Sequence, residues 1–563
     1  MNKKWVCNEI DDKKVKEIKE KYNLTELLAN ILVGRNILEE NEIRVFLNPT
    51  RNDFYDPFLL PDMEIAVDRI IKAINGKEKI IIYGDYDVDG ITSICVLKQF
   101  LEDRGIEVAY TIPNRLEEGY GLNKEAVERI TKEGYKLMIT VDCGISGIEE
   151  IEYANSLGIE TIVTDHHEPL DILPEAVAVI DPKIKKSKYP FNQLAGVGVV
   201  FKLIQAISKK LELDEKEYLK YLDLVAIGTI SDIVPLIDEN RVIAKLGLKL
   251  VEVTKNLGLK TLVLSLGYQK INSMCISFGV APRINACGRM GQAEEALNLF
   301  LTKDPKEAQE LTNKLNEYNR VRQEIEKKIY EDAIDKIEKD NIKDKNCIII
   351  AGENWHHGVI GIVASKITDM YFKPSILICM EENEGKGSGR SIPGFDLHNA
   401  LCKTSGYLQK YGGHEMAVGL SLEKKDFNDF KKSFEDYADT CNLEEIIPII
   451  NIDKQVTDKD LTIQNIKDLE KLEPYGEANK CPLFLFKNLK IDSIRSLTEG
   501  KHMKLTLKTD SNNVITAMGF NMGSRAEEFL IGDKVDIVGV LEVNEFNGYS
   551  NIQFNLKDIM KSL

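Results

Sequence analysis

The chain has 563 residues, 43% hydrophobic and 29% charged, with a formal net charge of −17. That length exceeds what one hydrophobic core sustains and predicts three or more domains of about 100 to 200 residues, while the composition excludes a disordered or repetitive chain. No run approaches the roughly 20 apolar residues that cross a bilayer, and ten scattered cysteines without a CxxC pair exclude zinc ribbons and a disulfide framework.

Residues 1–50 are set apart as an N-terminal segment; their start, "MNKKWVCNEIDDKKVK", lacks the apolar middle of a signal peptide, so a cytoplasmic protein without membrane contact is expected. From there to about residue 300, short β-branched runs read as buried parallel strands: "KIIIY" (79–83), "EVAYTI" (107–112), "LMITV" (137–141), "ETIV" (160–163) and "VAVI" (177–180). Helical patterns such as "SICVLKQFLEDRG" lie between them, and this βαβ alternation predicts a doubly wound α/β domain with a parallel sheet over 51–300. Residues 304–340 keep helical spacing, with Leu311, Leu315, Tyr318, Ile325 and Ile329 on one side, and predict a long connecting helix within 301–345. "NCIIIAG" (346–352) and "SILICM" (375–380) open a second α/β domain over 346–447. In 448–563, "LKIDSIRSL", "MKLTLKTD", "VITAMGF", "KVDIVGVLEV" and "YSNIQFNL" alternate with period two, which predicts a small antiparallel barrel.

The first of these strands runs into "GDYDVDGITS", with Asp85, Asp87 and Asp89. The next relevant strand ends in Asp142 of "VDCG", and "ETIV" ends in Asp165, His166 and His167; a further loop, "IGTISDIVPL", supplies Asp232. In open parallel sheets, sites form outside the carboxyl ends of the strands, so one crevice can hold all these groups. A lone DxD is usually a helix cap and a lone HH pair usually solvated, but acids after three strand ends plus Asp232 are hard to read that way. Crowded carboxylates repel unless cations neutralise them. Oxygen ligands with one imidazole suit Mn²⁺ or Mg²⁺, and the nitrogen favours Mn²⁺. Two such ions, about 3.5 to 4 Å apart, fit hydrolysis of a phosphoester.

"GDYDVDGITS", "VDCG", "TDHH" and "ISDIVPL" resemble, in this order, the four motifs of the DHH phosphoesterases. "PRINACGRM", "WHHGVIGIVASKI", "GSGRSIPGFDLHNAL", "YGGHEMAVGL" and "LEPYGEANKCPLF" extend the resemblance over roughly residues 50–563 to the RecJ family of single-stranded-DNA-specific exonucleases. The resemblance implies a DHH domain, a DHHA1 domain and a C-terminal OB-fold in the three regions above. It implies metal ligation by Asp85, Asp87, Asp142, His166 and Asp232, with Asp142 bridging both ions and His167 near the scissile phosphate. Asp89 lies outside the family's ligand pair and is taken as a supporting or loop-stabilising acid. Ala478 and Lys480 stand where the family shows Gly and Pro, which touches one loop's geometry. Single-stranded DNA as substrate, 5′ to 3′ polarity, 5′-mononucleotide products, a place in recombination and repair, and recruitment by a helicase and a single-strand-binding protein follow from the resemblance alone.

"GSGRSIPGFDL" combines three glycines with Ser388, Arg390 and Ser391, so backbone amides and a guanidinium can converge on a phosphate; an ordinary polar turn is the other reading. The family resemblance favours the first and makes Ser388 and Arg390, with Arg115 of "TIPNR", a clamp for a terminal 5′-phosphate. His414 follows two glycines that permit close approach, and is either a strand contact or a cap. Arg283 and Arg289 either line the path of the nucleic acid or are loop arginines. Trp355, His356 and His357 are assigned to the groove. Residues 487–508 hold six basic residues against Asp492 and Glu499, which suits a face that tracks single strands, or lysines that merely protect strands from aggregation. Phe484, Phe486 and Phe520 are stacking residues or core. Two rival functions are a DHH phosphodiesterase on nanoRNA or cyclic dinucleotides, which usually lacks the barrel, and a non-catalytic single-strand-binding or replication scaffold, which has no need of every acid.

Overall fold

The structure, a computed structural model, describes residues 3–114, 119, 121–443, 446–546 and 549–562. The chain opens with β1 (Lys4–Cys7) and three helices, Asp12–Tyr22, Glu26–Gly34 and Glu40–Leu47. The first sheet follows. Its strands β2 (Ile80–Gly84), β3 (Val108–Thr111), β4 (Leu137–Val141), β5 (Glu160–Thr164) and β6 (Ala178–Ile180) run parallel in the order β3-β2-β4-β5-β6. Every residue of β2 and β4 is buried, as expected when helices cover both faces. The winding reverses between β2 and β4, so a crevice opens at their carboxyl ends.

A helical layer completes this module, and it corrects one expectation. The segment "IGTISDIVPL", expected to be a loop, is helical up to Ser231, and Asp232 caps the C-terminus of this buried helix, Leu222–Ser231. That segment is apolar nearly all round, so it lacks the periodic polar face by which a helix is recognised. The helix Pro305–Lys339 then links two modules. Leu311 and Leu315 pack into the core of the first, and Ile329, Ala333 and Ile337 into that of the second.

The second sheet contains β7 (Ile348–Glu353), β8 (Ser375–Met380), β9 (Glu384–Arg390), β10 (Lys410–His414) and β11 (Ala417–Glu423), ordered β10-β11-β9-β8-β7. Here a second correction is needed. Residues 384–390 form an inner strand between β8 and β11, so their backbone groups serve sheet ladders and not a phosphate. The glycines answer a packing need: a Cβ at Gly385, Gly387 or Gly389 would fall within 2.9 Å of Ile378, Leu420 or Val418. Tertiary packing overrides the turn preference of Gly and Ser.

The last sheet is a barrel. After β12 (Ile449–Ile452) come β13 (Lys454–Gln455), β14 (Phe484–Leu497), β15 (His502–Lys508), β16 (Val514–Gly519), β17 (Lys534–Phe546) and β18 (Tyr549–Lys561), ordered β13-β14-β15-β16-β18-β17 and closed by β14 on β17. The β16–β18 pair is parallel, unlike the all-antiparallel expectation. The N-terminal helices belong here: Val15, Ile18, Leu28 and Ile31 share one core with Phe484, Leu505 and Phe554, and β1 pairs with β12. Ala478 adopts φ +57°, the left-handed conformation that glycine takes freely and alanine only at a cost of about 1–2 kcal/mol. No helix among the described residues is long and apolar enough to cross a membrane.

Candidate metal centre and nucleic-acid interface

The acids are placed by backbone that approaches unusually closely. After β2 the chain folds tightly onto itself, since a Cβ at Gly90 would collide with the carbonyl of Asp85. Asp87 caps the helix Val88–Glu102, its carboxylate accepting the N–H groups of Asp89 (2.9 Å) and Gly90 (3.1 Å). Asp89 is buried and accepts the N–H groups of Gly196 (2.6 Å) and Val197 (2.8 Å), at the start of the helix Gly196–Lys210. It therefore holds two helix starts together. Asp142 leaves β4 with φ +59°, and Gly196 lies so near that a Cβ would sit 2.6 Å from its Oδ1.

Asp165 orients the histidine pair. Its Oδ2 accepts the Ile145 N–H at 2.9 Å, and its Oδ1 lies 2.7 Å from Nδ1 of His167. His166 turns Nε2 inward to 3.1 Å from Oδ1 of Asp142 and 3.7 Å from Oδ2 of both Asp89 and Asp232. That nitrogen is buried and makes no hydrogen bond. Possible ligand atoms group within 4.8 Å of one another as Asp85, Asp87 and Asp142, as Asp142, His166 and His167, and as Asp89, His166 and Asp232. Asp142 belongs to two of the three.

The electrostatics differ across the site. Burial and the charge of His167 push His166 down to about 3, leaving a neutral imidazole suited to a metal. Burial also opposes charging of His167, but the Asp165 carboxylate outweighs it and holds His167 up to about 9. Burial and then the Asp87 charge raise Asp89 to about 7; burial and neighbouring carboxylates raise Asp142 and Asp232 well above the usual range. Such a group calls for cations at neutral pH. The orphaned His166 nitrogen among acid oxygens fits two of them.

The structure thus brings Asp85, Asp87, Asp142, His166, His167 and Asp232 together. Arg115 lies outside the described residues. Ser388 and Arg390 are neighbours on β9, with Nη1 of Arg390 donating to Oγ of Ser388 at 3.2 Å. The helix His357–Tyr371 crosses them at Gly361, where a Cβ would fall 3.0 Å from Ser388 Oγ and 3.3 Å from Arg390 Nη2. Contacts connect this pair to the loop that carries Asp85 and Asp87. Arg289 Nη1 donates to Gly358 O on that helix at 2.7 Å, and a Cβ on neighbouring Gly288 would fall 2.6 Å from Tyr86 O. Strand register sets His414, Ala417 and Arg390 in one row across β10, β11 and β9, with His414 exposed on the edge.

Other assignments change. Trp355 is buried and donates to Asp332 at 2.8 Å, so it anchors the long helix and does not wall a groove; its indole is as apolar as any core residue except at that nitrogen. His356 caps its helix by accepting the Gly358 N–H. Arg283 and Arg289 stand on the helix Ala281–Arg289, not in a loop; Arg283 bonds Asn316 (2.6 Å) and lines a recess of about 360 Å³ with Tyr268, Phe278 and Arg320. Phe484 and Phe486 are core, while Phe520 is 54% exposed beside His502. On the barrel, Lys490 faces Lys508 and Arg495 faces Lys504 across β14 and β15. Two residues escaped sequence reasoning: Asp165 as the orienting acid, and Gly196, whose only signal is the glycine pair in "LAGVGVV".

Comparison with known proteins divides the chain in the same way. The family described as "DHH family, N-terminal domain" matches residues 79–229, the DHHA1 domain 344–440, and the RecJ OB domain 452–558. The single-stranded-DNA-specific exonuclease RecJ of Bacillus subtilis is 40% identical over 561 residues, 99% of this chain and 70% of that protein. The RecJ of Haemophilus influenzae is 32% identical over 94% of this chain and 95% of its own length. A crystal structure of RecJ from Thermus thermophilus in complex with Mn²⁺ matches with a TM-score of 0.87 at 29% identity, covering 100% of this chain and 80% of that one.

Proposed function

The chain belongs to the RecJ family of single-stranded-DNA-specific exonucleases, and from that premise we propose that it removes 5′-mononucleotides from the 5′ end of single-stranded DNA using two divalent cations, Mn²⁺ in preference to Mg²⁺. The observation that carries this reading is the unbonded, buried Nε2 of His166 facing the carboxylates of Asp89, Asp142 and Asp232. Asp85, Asp87 and Asp142 would hold one ion, and Asp142, His166 and Asp232 the other, with Asp89 supporting from behind. Ions held there would supply an activated water and neutralise charge on the leaving oxygen. Structures of the Thermus thermophilus relative with Mn²⁺ and with Mg²⁺ support divalent cations at this centre.

The protein's own groups do the rest. His167, kept cationic by Asp165, donates to a non-bridging phosphate oxygen and stabilises the charge that grows there. The Arg390 guanidinium and Ser388 hydroxyl, with Arg115, hold the terminal phosphate, and this anchoring sets the polarity. On the barrel, like charges placed directly opposite destabilise a sheet; Lys508 is offset by Asp492 at 2.6 Å, but Arg495–Lys504 is explained by a polyanionic partner. Such a face favours a long strand over nanoRNA or a cyclic dinucleotide. Action in the cytoplasm, in recombination and repair beside a helicase and a single-strand-binding protein, completes the reading. Metal-stripped protein given Mn²⁺ should degrade linear single strands and spare circular ones; degradation of circles, or activity in EDTA, would overturn it.

A further inference from the structure

Four consecutive polar residues in "VPLIDENR" (234–241) have no part in the hydrolytic site, yet three of them are almost wholly buried: Glu239 at 0%, Asn240 at 0% and Arg241 at 1% exposure. Each grips a different segment. Glu239 accepts from Lys202 (2.8 Å), the Tyr55 N–H (3.1 Å) and the Tyr189 hydroxyl. Asn240 donates to the carbonyls of Gln193 (2.5 Å) and Pro235 (3.1 Å). Arg241 donates to Phe46 O (2.8 Å) and to the carbonyls of Lys471, Leu472, Glu473 and Pro474 at 3.0 to 3.4 Å, while its guanidinium covers the Phe46 ring. Among the described residues, the hydrogen-bond partners of Arg241 are all carbonyls. A buried charge neutralised by no carboxylate is a poor source of stability, which turns attention to what it fixes in place.

What it fixes adjoins Asp232. After that residue comes Ile233, a β-branched side chain at φ +61° and 71% exposed, a strained conformation that persists only when its flanks are held. On one flank the Asp232 N–H donates to Gly228 O at 2.9 Å. On the other, Pro235 O is held by Asn240, and the Leu236 N–H donates to Glu477 O at 2.8 Å. Leu236 packs so tightly on Gly476 that a Cβ there would fall 2.5 Å from its Cδ1. The stretch 471–477 leads into the barrel; it therefore clamps the ligand loop at Leu236 and the adjacent helix at Arg241.

We propose that Arg241 is a positioning residue for the metal centre: with Gly476 and Glu477 it couples docking of the barrel module to the placement of Asp232. When the clamp opens, the strained turn at Ile233 relaxes, Asp232 moves away from His166, and the centre binds its ions more weakly. The inference rests on the metal-centre reading above.

The test reads Mn²⁺ binding to the full-length protein by calorimetry, with circular dichroism to confirm folding. Arg241→Met keeps the bulk of the side chain and removes its donors; Gly476→Ala drives a methyl against Leu236. Each should weaken Mn²⁺ binding at least tenfold, and Leu236→Ala added to Gly476→Ala should restore most of that loss by making room. Wild-type affinity in Gly476→Ala, or a double variant no better than the single, overturns the proposal, as does unchanged affinity in a folded Arg241→Met. If Arg241→Met does not fold, the Gly476 and Leu236 pair decides alone. If the wild type binds Mn²⁺ but leaves DNA intact, the exonuclease reading fails while the coupling is still measured; a wild type that binds no Mn²⁺ sinks both.

Discussion

Asp142 carries three burdens at once: a left-handed backbone, burial, and the carboxylates of Asp85, Asp87, Asp89 and Asp232 nearby. Asparagine tolerates that backbone and keeps the shape while deleting the charge. Asp142→Asn should therefore lower activity by about a thousandfold or more, since it weakens both ion positions, yet raise the stability of the metal-free protein by ~1 kcal/mol. Paired assays of hydrolysis and urea unfolding check both halves. Asp89 makes the pH dependence explicit. Its folded pKa of about 7 stands above the unfolded value of ~3.9, so it stabilises the metal-free fold at low pH, and that contribution is lost as pH rises from about 4 to about 7. Unfolding in EDTA should show this fall, whereas stabilisation by Mn²⁺ should grow over the same window as protons leave its ligands. A metal effect that shrinks with pH would contradict the assignment. At Arg390, removing a charge-assisted contact costs ~1.5 to 3 kcal/mol. Arg390→Ala should slow degradation of 5′-phosphorylated DNA far more than of 5′-hydroxyl DNA, and equal slowing would make it a general strand contact or a structural residue.

Among the elements, β14 and β15 invite the sharpest test. Arg495→Ala with Lys504→Ala removes a repulsive pair, so the barrel should be no less stable, but affinity for long single strands should fall and the slope of log K against log salt should flatten by ~0.7 per lost contact. Point changes are needed because deleting 481–563 would strip the core shared with the N-terminal helices. Ala478→Gly relieves a left-handed alanine and should stabilise the barrel junction by ~0.5 to 1 kcal/mol in thermal unfolding. The elements also show what a sequence reveals. β2, β4 and β5 were legible because β-branched runs of five residues ending in acids have few other uses. The helix before Asp232 and the inner strand β9 were not. One hides its period by being apolar all round, and the other is glycine-rich because Leu420 and Val418 press on it.

Across the whole molecule, Asp85, Asp87, Asp142, His166 and His167 could be read from strand ends, whereas the supporting roles of Asp165, Gly196 and Arg241 could not. Asp165 works on its own neighbours and on Ile145, while Gly196 and Arg241 act through segments distant in sequence, as Arg241 does with residues 471–474. The same holds for the closure of the chain, in which β1 meets β12 and residues near position 30 pack against a barrel that begins beyond position 450. On the reading proposed above, the acidic crevice, the Ser388–Arg390 pair and the basic barrel face all serve one strand. The direct measurement is a time course of linear single-stranded DNA labelled separately at each end, with Mn²⁺ and the full-length protein. The account predicts that the 5′ label appears at once as a mononucleotide while the 3′ label stays on progressively shorter strands. Early release of the 3′ label, or internal fragments carrying either label, would contradict it.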